Sequence, residues 1–479
     1  MLKILMATSE ASPFAKTGGL ADVLGSLPSA LIKQGVDVRV IMPKYGTISE
    51  QLRDSIIHKY YIYVKLGWRN LYCGIEQAQY NGVTYYFVDN EIYFNRDSLY
   101  GYQDDGERFA FFNRAVLDAL PFLDFTPDVI HCHDWQAGMI PVLLEAQYRH
   151  LDSYQNISTI FTIHNLKYQG VYMISDIKEW FGLGNEYFTA DKLEFFGAAS
   201  FLKGGLAYAH VLTTVSETYA GEIKNSFYGE HLEGLLNARG EDLYGILNGI
   251  DYDEFNPKTD KLIYQTYSKS KLIGKTANKV ALQQELNLTV DEEIPMIGLI
   301  SRLVDQKGLD LIACMLGEIL SEKVQFVILG TGDEKYENLF KEAMYQYPGK
   351  LSANTRFDNV LAHKIYAASD FFLMPSLFEP CGLGQLISLR YGTLPIVRET
   401  GGLKDTVISY NEATGEGNGF SFTNYNAHDM LHTIRRALAV YQRKTLRGKL
   451  KKSAMSCDFS WQNSAIKYLE LYQSMKPGN

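Results

Sequence analysis

Cysteine is scarce in this chain. Its five residues, Cys73, Cys132, Cys314, Cys381 and Cys457, are scattered, odd in number and without a C-x-x-C pair. This usage fits a reducing cytoplasm rather than a disulfide-built scaffold. Long apolar runs are missing too. No stretch approaches the roughly 18 residues of a membrane span, and the run before Ser9 and Glu10 is too brief for a secretory signal. A cytoplasmic protein with no membrane partner is therefore expected. Positive charge is in deficit, with 46 Lys plus Arg against 55 Asp plus Glu and a formal charge of -9. No nucleic-acid partner is expected on that balance, and any basic cluster must be local and purposeful. Neither G-x-G-x-x-G nor G-x-x-x-x-G-K-[ST] opens the first helix, which withdraws support from a dinucleotide oxidoreductase or a P-loop nucleotidase. Repeats at solenoid periods and low-complexity segments are absent as well.

What is present points to a two-domain enzyme. At 479 residues with 46% hydrophobic content, the chain exceeds the size of a single core, so two domains of roughly 200 to 250 residues are the default. The 33 Tyr and 4 Trp suit rings that stack on sugar faces, although aromatic residues also fill cores. Apolar β-rich runs at 3–8, 36–42, 83–88, 128–132, 158–163 and 211–215 alternate with helical patterns. A second series occupies 296–300, 325–329, 371–374, 394–397 and 419–422. Continuous apolar strands alternating with helices mean parallel sheets covered on both faces. The expected fold is α/β, with two doubly wound domains in series and the active site in a central cleft, beyond the carboxyl ends of the strands. The boundaries read as 1–247, 248–458 and a terminal helix within 459–479 that crosses back to the first domain, with a hinge near 246–260.

The first helix opens on Lys16-Thr17-Gly18-Gly19-Leu20-Ala21-Asp22. It carries Leu20, Val23, Leu24, Leu27 and Leu31 on one stripe and is stopped by Gly35. Gly18 and Gly19 let backbone N–H groups approach a ligand, the helix N-terminus favours negative charge, and Lys16 adds a mobile cation. A phosphate or diphosphate is the natural guest. In His131-Cys132-His133-Asp134-Trp135 the two histidines share a strand face, but no third ligand at a recognised spacing joins them, and no metal is expected. Asp134 reads instead as an acceptor of hydrogen bonds from a polyhydroxylated ligand, or as the orienter of a neighbour. His164 and Asn165 end the next strand as candidate ligands of sugar hydroxyls. Asp251-Tyr252-Asp253 has the form of a metal-holding D-x-D, yet it follows an Asn-Gly turn where Asp serves turn chemistry.

In the second half, Ser301-Arg302-Leu303-Val304-Asp305-Gln306-Lys307-Gly308 offers the Arg302 fork and the Lys307 point charge. Together these are able to neutralise a diphosphate without a metal. Phe378-Glu379-Pro380-Cys381-Gly382-Leu383 presents a carboxylate followed by backbone N–H groups. Thr400-Gly401-Gly402-Leu403 repeats the Gly-Gly-Leu theme at another strand end.

Taken in order, K-T-G-G-L-A-D at 16–22, H-C-H-D-W at 131–135, T-I-H-N at 162–165, N-G-I-D at 248–251, S-R-L-x-x-Q-K-G at 301–308, F-E-P-C-G-L at 378–383 and T-G-G-L-x-D-T-V at 400–407 resemble the family of bacterial glycogen synthases and plant starch synthases. The resemblance implies the GT-B fold, two Rossmann-like domains facing a cleft. It also implies retaining transfer of glucose from ADP-glucose to the non-reducing end of an α-1,4-glucan such as glycogen, with no metal or other cofactor.

Residue roles follow from the same resemblance. Lys16 would contact the donor diphosphate and glucose, Gly18 and Gly19 would supply backbone contacts, and Asp22 would support them. Arg302 and Lys307 would hold the departing diphosphate. Glu379 would sit on the C3-C4 hydroxyl side of the donor glucose or brace its oxocarbenium-like transition state, and Cys381, Gly382 and Leu383 would present N–H groups to glucose and phosphate. His164, with Asn165 beside it, would face the glucose hydroxymethyl, Asp134 and Asn248 would line the cleft, and Tyr366 would stack on adenine. Two departures stand out: Gly384 replaces a frequent Thr, and the second acid of an E-x7-E pattern falls on Ile387. A double displacement between paired carboxylates gains no support, and a front-face transfer fits better. Two other readings are a UDP-glucose-dependent retaining glucosyltransferase and a catalytically silent glucan-binding homologue. The intact Lys16, His164, Arg302, Lys307 and Glu379 argue against the second.

Overall fold

The apolar strands assemble into two main sheets, one in each of two units. In this computed structural model, which describes residues 1–475, the chain divides into Met1–Gly249 joined by the segment from Trp461, and Ile250–Ser460. The strands of the first unit are β1 (Lys3–Ala7), β2 (Asp37–Pro43), β3 (Ile57–Leu66), β4 (Arg69–Tyr80), β5 (Val83–Asp89), β6 (Val129–His133), β7 (Ser158–Ile163), β8 (Val171–Tyr172), β9 (Glu194–Phe195), β10 (Ala198–Ser200), β11 (Val211–Thr214) and β12 (Leu243–Gly245). Its main sheet has the order β12-β11-β7-β6-β1-β2-β5-β4-β3, and β8, β10 and β9 form a small sheet of their own. From β12 to β5 every pairing is parallel, while β5, β4 and β3 finish the sheet as an antiparallel meander. The central strands are buried on both faces, β6 at every position and β7 at all but its first, as helices packed on both sides of a parallel sheet require.

β3 and β4 of the meander, with the short edge strand β12, are the parts of this sheet that the apolar pattern did not announce. In β3 the residues Ile62, Val64 and Leu66 are buried while Tyr61, Tyr63 and Lys65 face solvent. An edge strand covered on one face needs no continuous apolar run.

Two helices complete the first unit around the candidate site. The helix Gly19–Lys33 buries Leu20, Val23, Leu24, Leu27 and Leu31 along one stripe. The helix Trp461–Ser474 buries Trp461, Ala465, Tyr468 and Tyr472 in the same core, and Ser464 Oγ donates to the Leu247 carbonyl at 2.6 Å. The last residues of the expected terminal segment, 476–479, lie outside the described residues.

The second unit holds β13 (Met296–Ile300), β14 (Gln325–Leu329), β15 (Leu351–Asn354), β16 (Phe371–Met374), β17 (Leu394–Arg398) and β18 (Phe420–Phe422). They form an all-parallel sheet in the order β15-β14-β13-β16-β17-β18. β15 was not foreseen, because four residues with Ser352 and Asn354 among them make no apolar run. Ile297, Leu299, Phe326, Phe371, Leu373 and Ile396 build its core. Ile250 N–H donates to the Phe459 carbonyl at 2.9 Å, tying together the two ends of the unit.

A buried ion cluster ties three elements of this unit together. Asp370, just ahead of β16, accepts from Lys279 of the helix Ile273–Glu285 and from Lys451 of the helix Lys444–Ala454, each at 2.7 Å. Burial alone pushes this carboxyl up, but the two ammonium groups overcome it and hold the group below the ordinary carboxylate range. Removing the acid would strand two cations in the interior, a loss of about 3–5 kcal/mol. Asp370→Asn is therefore expected to lower the unfolding midpoint of this unit by several degrees, measured by differential scanning calorimetry. Because the folded-state value is depressed, the contribution is complete above the unfolded value near 4 and fades as pH falls below it. The stability gap between wild type and Asp370→Asn should accordingly shrink in strong acid.

Candidate active site

The polar motifs of the first unit converge on the carboxyl edge of its sheet. After β1 the chain passes Glu10, buried at 4% exposure. Its carboxylate accepts from the Thr17 N–H at 2.5 Å and from Thr17 Oγ1 at 3.0 Å. Glu10 therefore pins the loop in front of the helix Gly19–Lys33, leaving Lys16, Thr17, Gly18 and Gly19 exposed at its mouth. Lys16 Nζ lies 2.6 Å from Asp22 Oδ1, so Asp22 holds the cation at the mouth. A Cβ on Gly18 would meet nothing within 4 Å. The protein itself leaves open the space that this glycine faces.

On the neighbouring strand, Asp134 follows β6 in a left-handed conformation at φ 56°, a strained position for a non-glycine residue that its hydrogen bonds offset. Its Oδ1 accepts from the backbone N–H of His164 at 2.7 Å and of Asn165 at 3.4 Å. Burial pushes this carboxyl up to about 7, against the pull of those two N–H groups. Asp134 thus joins the β6 and β7 strand ends. The Asn165 side-chain oxygen accepts from the Lys167 N–H at 3.1 Å, which shapes the following turn. His164, half-buried at the end of β7, places Nε2 2.9 Å from His133 Nδ1.

His131, on the same face of β6 as His133, engages Tyr472 OH at 2.8 Å and Thr162 Oγ1 at 2.5 Å through its two ring nitrogens. Both are occupied by hydroxyl groups, and among the described residues no cluster of three His, Cys, Asp or Glu is arranged to hold a metal. Asn248 lies buried near the end of the unit with its Oδ1 unpaired among the described residues.

In the second unit the loops after β13, β16 and β17 are laced to one another. Leu377 N–H donates to the Gln306 carbonyl at 2.9 Å, which sets Lys307 against Glu379. Lys307 Nζ and Glu379 Oε2 are 2.6 Å apart, and Ser376 Oγ donates to the same oxygen at 3.1 Å. Glu379 Oε1 has no partner among the described residues, and the side chain is 8% exposed. One carboxylate oxygen is thus held by the protein and the other is left over. Arg302 is exposed, and its guanidinium makes no ion pair among the described residues.

The second Gly-Gly pair behaves unlike the first. A Cβ on Gly401 would stand 2.0 Å from the Glu379 carbonyl, and one on Gly402 would stand 2.1 Å from the Cys381 carbonyl. These glycines let the loop after β17 close against Glu379-Pro380-Cys381, and the Gly402 N–H donates to the Glu379 carbonyl at 3.2 Å. Gly382 takes the left-handed conformation at φ +73°, and the Gln385 amide donates to the Cys381 and Gly382 carbonyls at 2.9 Å each. Cys381, Gly382 and Leu383 are thereby held at the start of the helix Gly384–Arg390.

One expected contact is withdrawn. Tyr366, read as a platform for adenine, is 6% exposed. Its ring packs on Phe372 at 5.0 Å and Tyr391 at 6.3 Å between centroids. It belongs to the core of the second unit because the helix Asn359–Ala368 turns that face inward. Asp251 Oδ1 accepts from the Asp253 N–H at 2.7 Å and from the Glu254 N–H at 3.3 Å, a turn-capping role. Sequence reasoning overlooked Glu10, Ser376 and the contact of His133 with His164. The first two sit at strand ends, where their position was the available signal.

Residues 3–238 match the family described as the starch synthase catalytic domain, and residues 283–454 match the glycosyl transferases group 1. The chain is 57% identical over 476 residues to a glycogen synthase of Clostridium acetobutylicum, covering 99% of this chain and 100% of that one. It is 52% identical over 474 residues to the glycogen synthase of Geobacillus stearothermophilus, covering 99% and 98%. Among solved structures, the catalytic domain of starch synthase IV from Arabidopsis thaliana, bound to ADP and acarbose, superposes with a TM-score of 0.93 at 34% identity, covering 100% of this chain and 99% of that one. A sucrose-phosphate synthase from Thermosynechococcus elongatus, at 17% identity and a TM-score of 0.63, shares the fold alone. With two Rossmann-like units of the GT-B fold and these relatives along its whole length, the chain belongs to the glycogen synthase family.

Proposed function

We propose that this protein is a hexosyltransferase that moves glucose from ADP-glucose to the non-reducing end of an α-1,4-glucan, with retention of configuration. Beyond family membership, the reading is carried by the Lys307–Glu379 pair at the ends of β13 and β16, with a spare carboxylate oxygen and the unpaired Arg302 nearby in sequence. ADP as the nucleotide is supported by the ADP in the Arabidopsis starch synthase IV structure. A reducing cytoplasm is supported by five cysteines that are all free thiols.

The chemistry follows from charge. As the C1–O bond of the donor breaks, negative charge gathers on the leaving diphosphate and positive charge on the sugar ring. Arg302 and Lys307, with the exposed Lys16 and the amides of Gly18 and Gly19, are the groups assigned to the diphosphate. Preorganised cations and N–H dipoles of this kind supply the largest part of such catalysis. Glu379 Oε1 faces the donor glucose as its electropositive ring develops, and His164 hydrogen-bonds a sugar oxygen. Asp134 acts by holding the His164–Asn165 backbone in place, and Asp22 by holding Lys16. The second acid of a double displacement falls on Ile387, which is buried at 7% exposure, so a front-face transfer is the consistent route.

Incubation with glycogen and either ADP-[¹⁴C]glucose or UDP-[¹⁴C]glucose should label the polymer from the ADP donor, with α-configured product by NMR and with activity retained in excess EDTA. Preference for UDP-glucose, absence of transfer, or a Mg²⁺-reversible loss in EDTA would each overturn the corresponding part of the proposal. Lys307→Ala and Glu379→Ala are each expected to lower kcat roughly a hundredfold or more with the circular dichroism spectrum unchanged. Because the two side chains act as one unit, the double variant should fall little further than the worse single variant.

A further inference from the structure

We infer that His133 is a positioning residue that fixes the tautomer of His164, keeping the His164 proton on Nδ1, where it is available to a sugar oxygen. This rests on the reading of His164 as a donor-sugar contact. The observation that carries it is an orphaned atom. His133 Nδ1 lies 2.9 Å from His164 Nε2, whereas His133 Nε2 is buried with no partner among the described residues.

One proton sits between the two rings, and two arrangements are available. If His164 donated from Nε2, His133 would accept at Nδ1 and carry its own proton on the orphaned Nε2, burying an N–H without an acceptor. If His133 donates from Nδ1, its Nε2 is a bare lone pair, and an unpaired buried acceptor is tolerated better than an unpaired donor. The second arrangement makes His164 Nε2 the acceptor and leaves its hydrogen on Nδ1. Nδ1 of His164 makes no hydrogen bond among the described residues.

The surroundings hold both rings in place. The His133 ring packs on His131 with centroids 4.1 Å apart, and His131 is fixed at both nitrogens by Tyr472 and Thr162. The backbone of His164 is anchored by Asp134. Burial holds His164 down to about 3 and His133 well below its ordinary value, so both rings are neutral at cellular pH. His164 therefore offers a hydrogen bond without bringing a positive charge.

The assignment is tested by long-range ¹⁵N spectra of histidine-labelled protein, with the His164 signals identified by their loss in His164→Gln. Wild type should show a protonated Nδ1 and a bare Nε2. In His133→Phe the Nε2–H form of His164 should appear, and kcat should fall about tenfold with little change in the KM for glycogen, by analogy with outer partners of functional histidines. His133→Asn, whose amide donates from nearly the same point, should restore the Nδ1–H form and most of kcat. A protonated Nε2 in the wild type overturns the inference whether or not the variants fold. So does a folded His133→Phe with unchanged His164 signals and kcat. If His164→Gln itself turns over normally while the spectra are as expected, the role given to His164 in catalysis fails and the tautomer assignment stands.

Discussion

Parallel pairing of the central strands is the constraint on which the rest of this protein depends. In a parallel sheet each strand must return to the same end before the next begins, so the loops that leave the carboxyl ends share one edge. In the first unit that edge receives the loops after β1, β6 and β7, and with them Glu10, Lys16, Asp134 and His164. In the second it receives the loops after β13, β16 and β17, and with them Arg302, Lys307, Glu379 and the Gly401-Gly402 turn. Residues far apart in sequence become neighbours because the hydrogen-bond ladder leaves them no other edge. The polar groups there do not weaken the core, since the central parallel strands are buried on both faces.

Within that frame the loops are braced by short hydrogen bonds to buried carboxylates and by close backbone contacts. Glu10 restrains Thr17, Asp134 restrains the His164–Asn165 backbone, and the absent side chains of Gly401 and Gly402 let one loop press on the carbonyls of Glu379 and Cys381. Such bracing matters to a transferase whose leaving group accumulates charge. Dipoles and cations stabilise a transition state well only when they are already in place. Each unit combines buried bracing groups with atoms left partly unspent: Glu10, Asp134 and His133 beside Gly18 and His164 Nδ1 in the first, and Ser376 beside Arg302 and Glu379 Oε1 in the second.

The helix Trp461–Ser474 links the end of the chain to this arrangement. Tyr472 reaches a ring nitrogen of His131, His131 stacks on His133, and His133 meets His164. Residues 341 positions apart are joined through one hydrogen bond, so the last helix contributes to the order of the site as well as to the core around it.

Much of this was legible in the sequence. Continuous apolar runs marked the central strands, because a strand buried on both faces is mostly apolar, and the motifs at their ends named Lys16, His164, Arg302, Lys307 and Glu379. The meander of β3 and β4 escaped, since a strand covered on one side alternates, and β15 escaped because it is short and polar. Tyr366 was misjudged because a helical aromatic reads alike whether it faces a ligand or the core. The two Gly-Gly-Leu segments also read alike, yet Gly18 faces open space while Gly401 is required by a carbonyl 2.0 Å away. The sequence by itself determined which residue types stand at the strand ends, since local periodicity and turn chemistry are written in neighbouring letters. Only the tertiary structure decided which atoms each of them meets: Glu379 Oε2 taken by Lys307 and Ser376, Oε1 left over, and His133 left with an orphaned nitrogen. Those outcomes depend on contacts between segments distant in sequence, which no local pattern encodes.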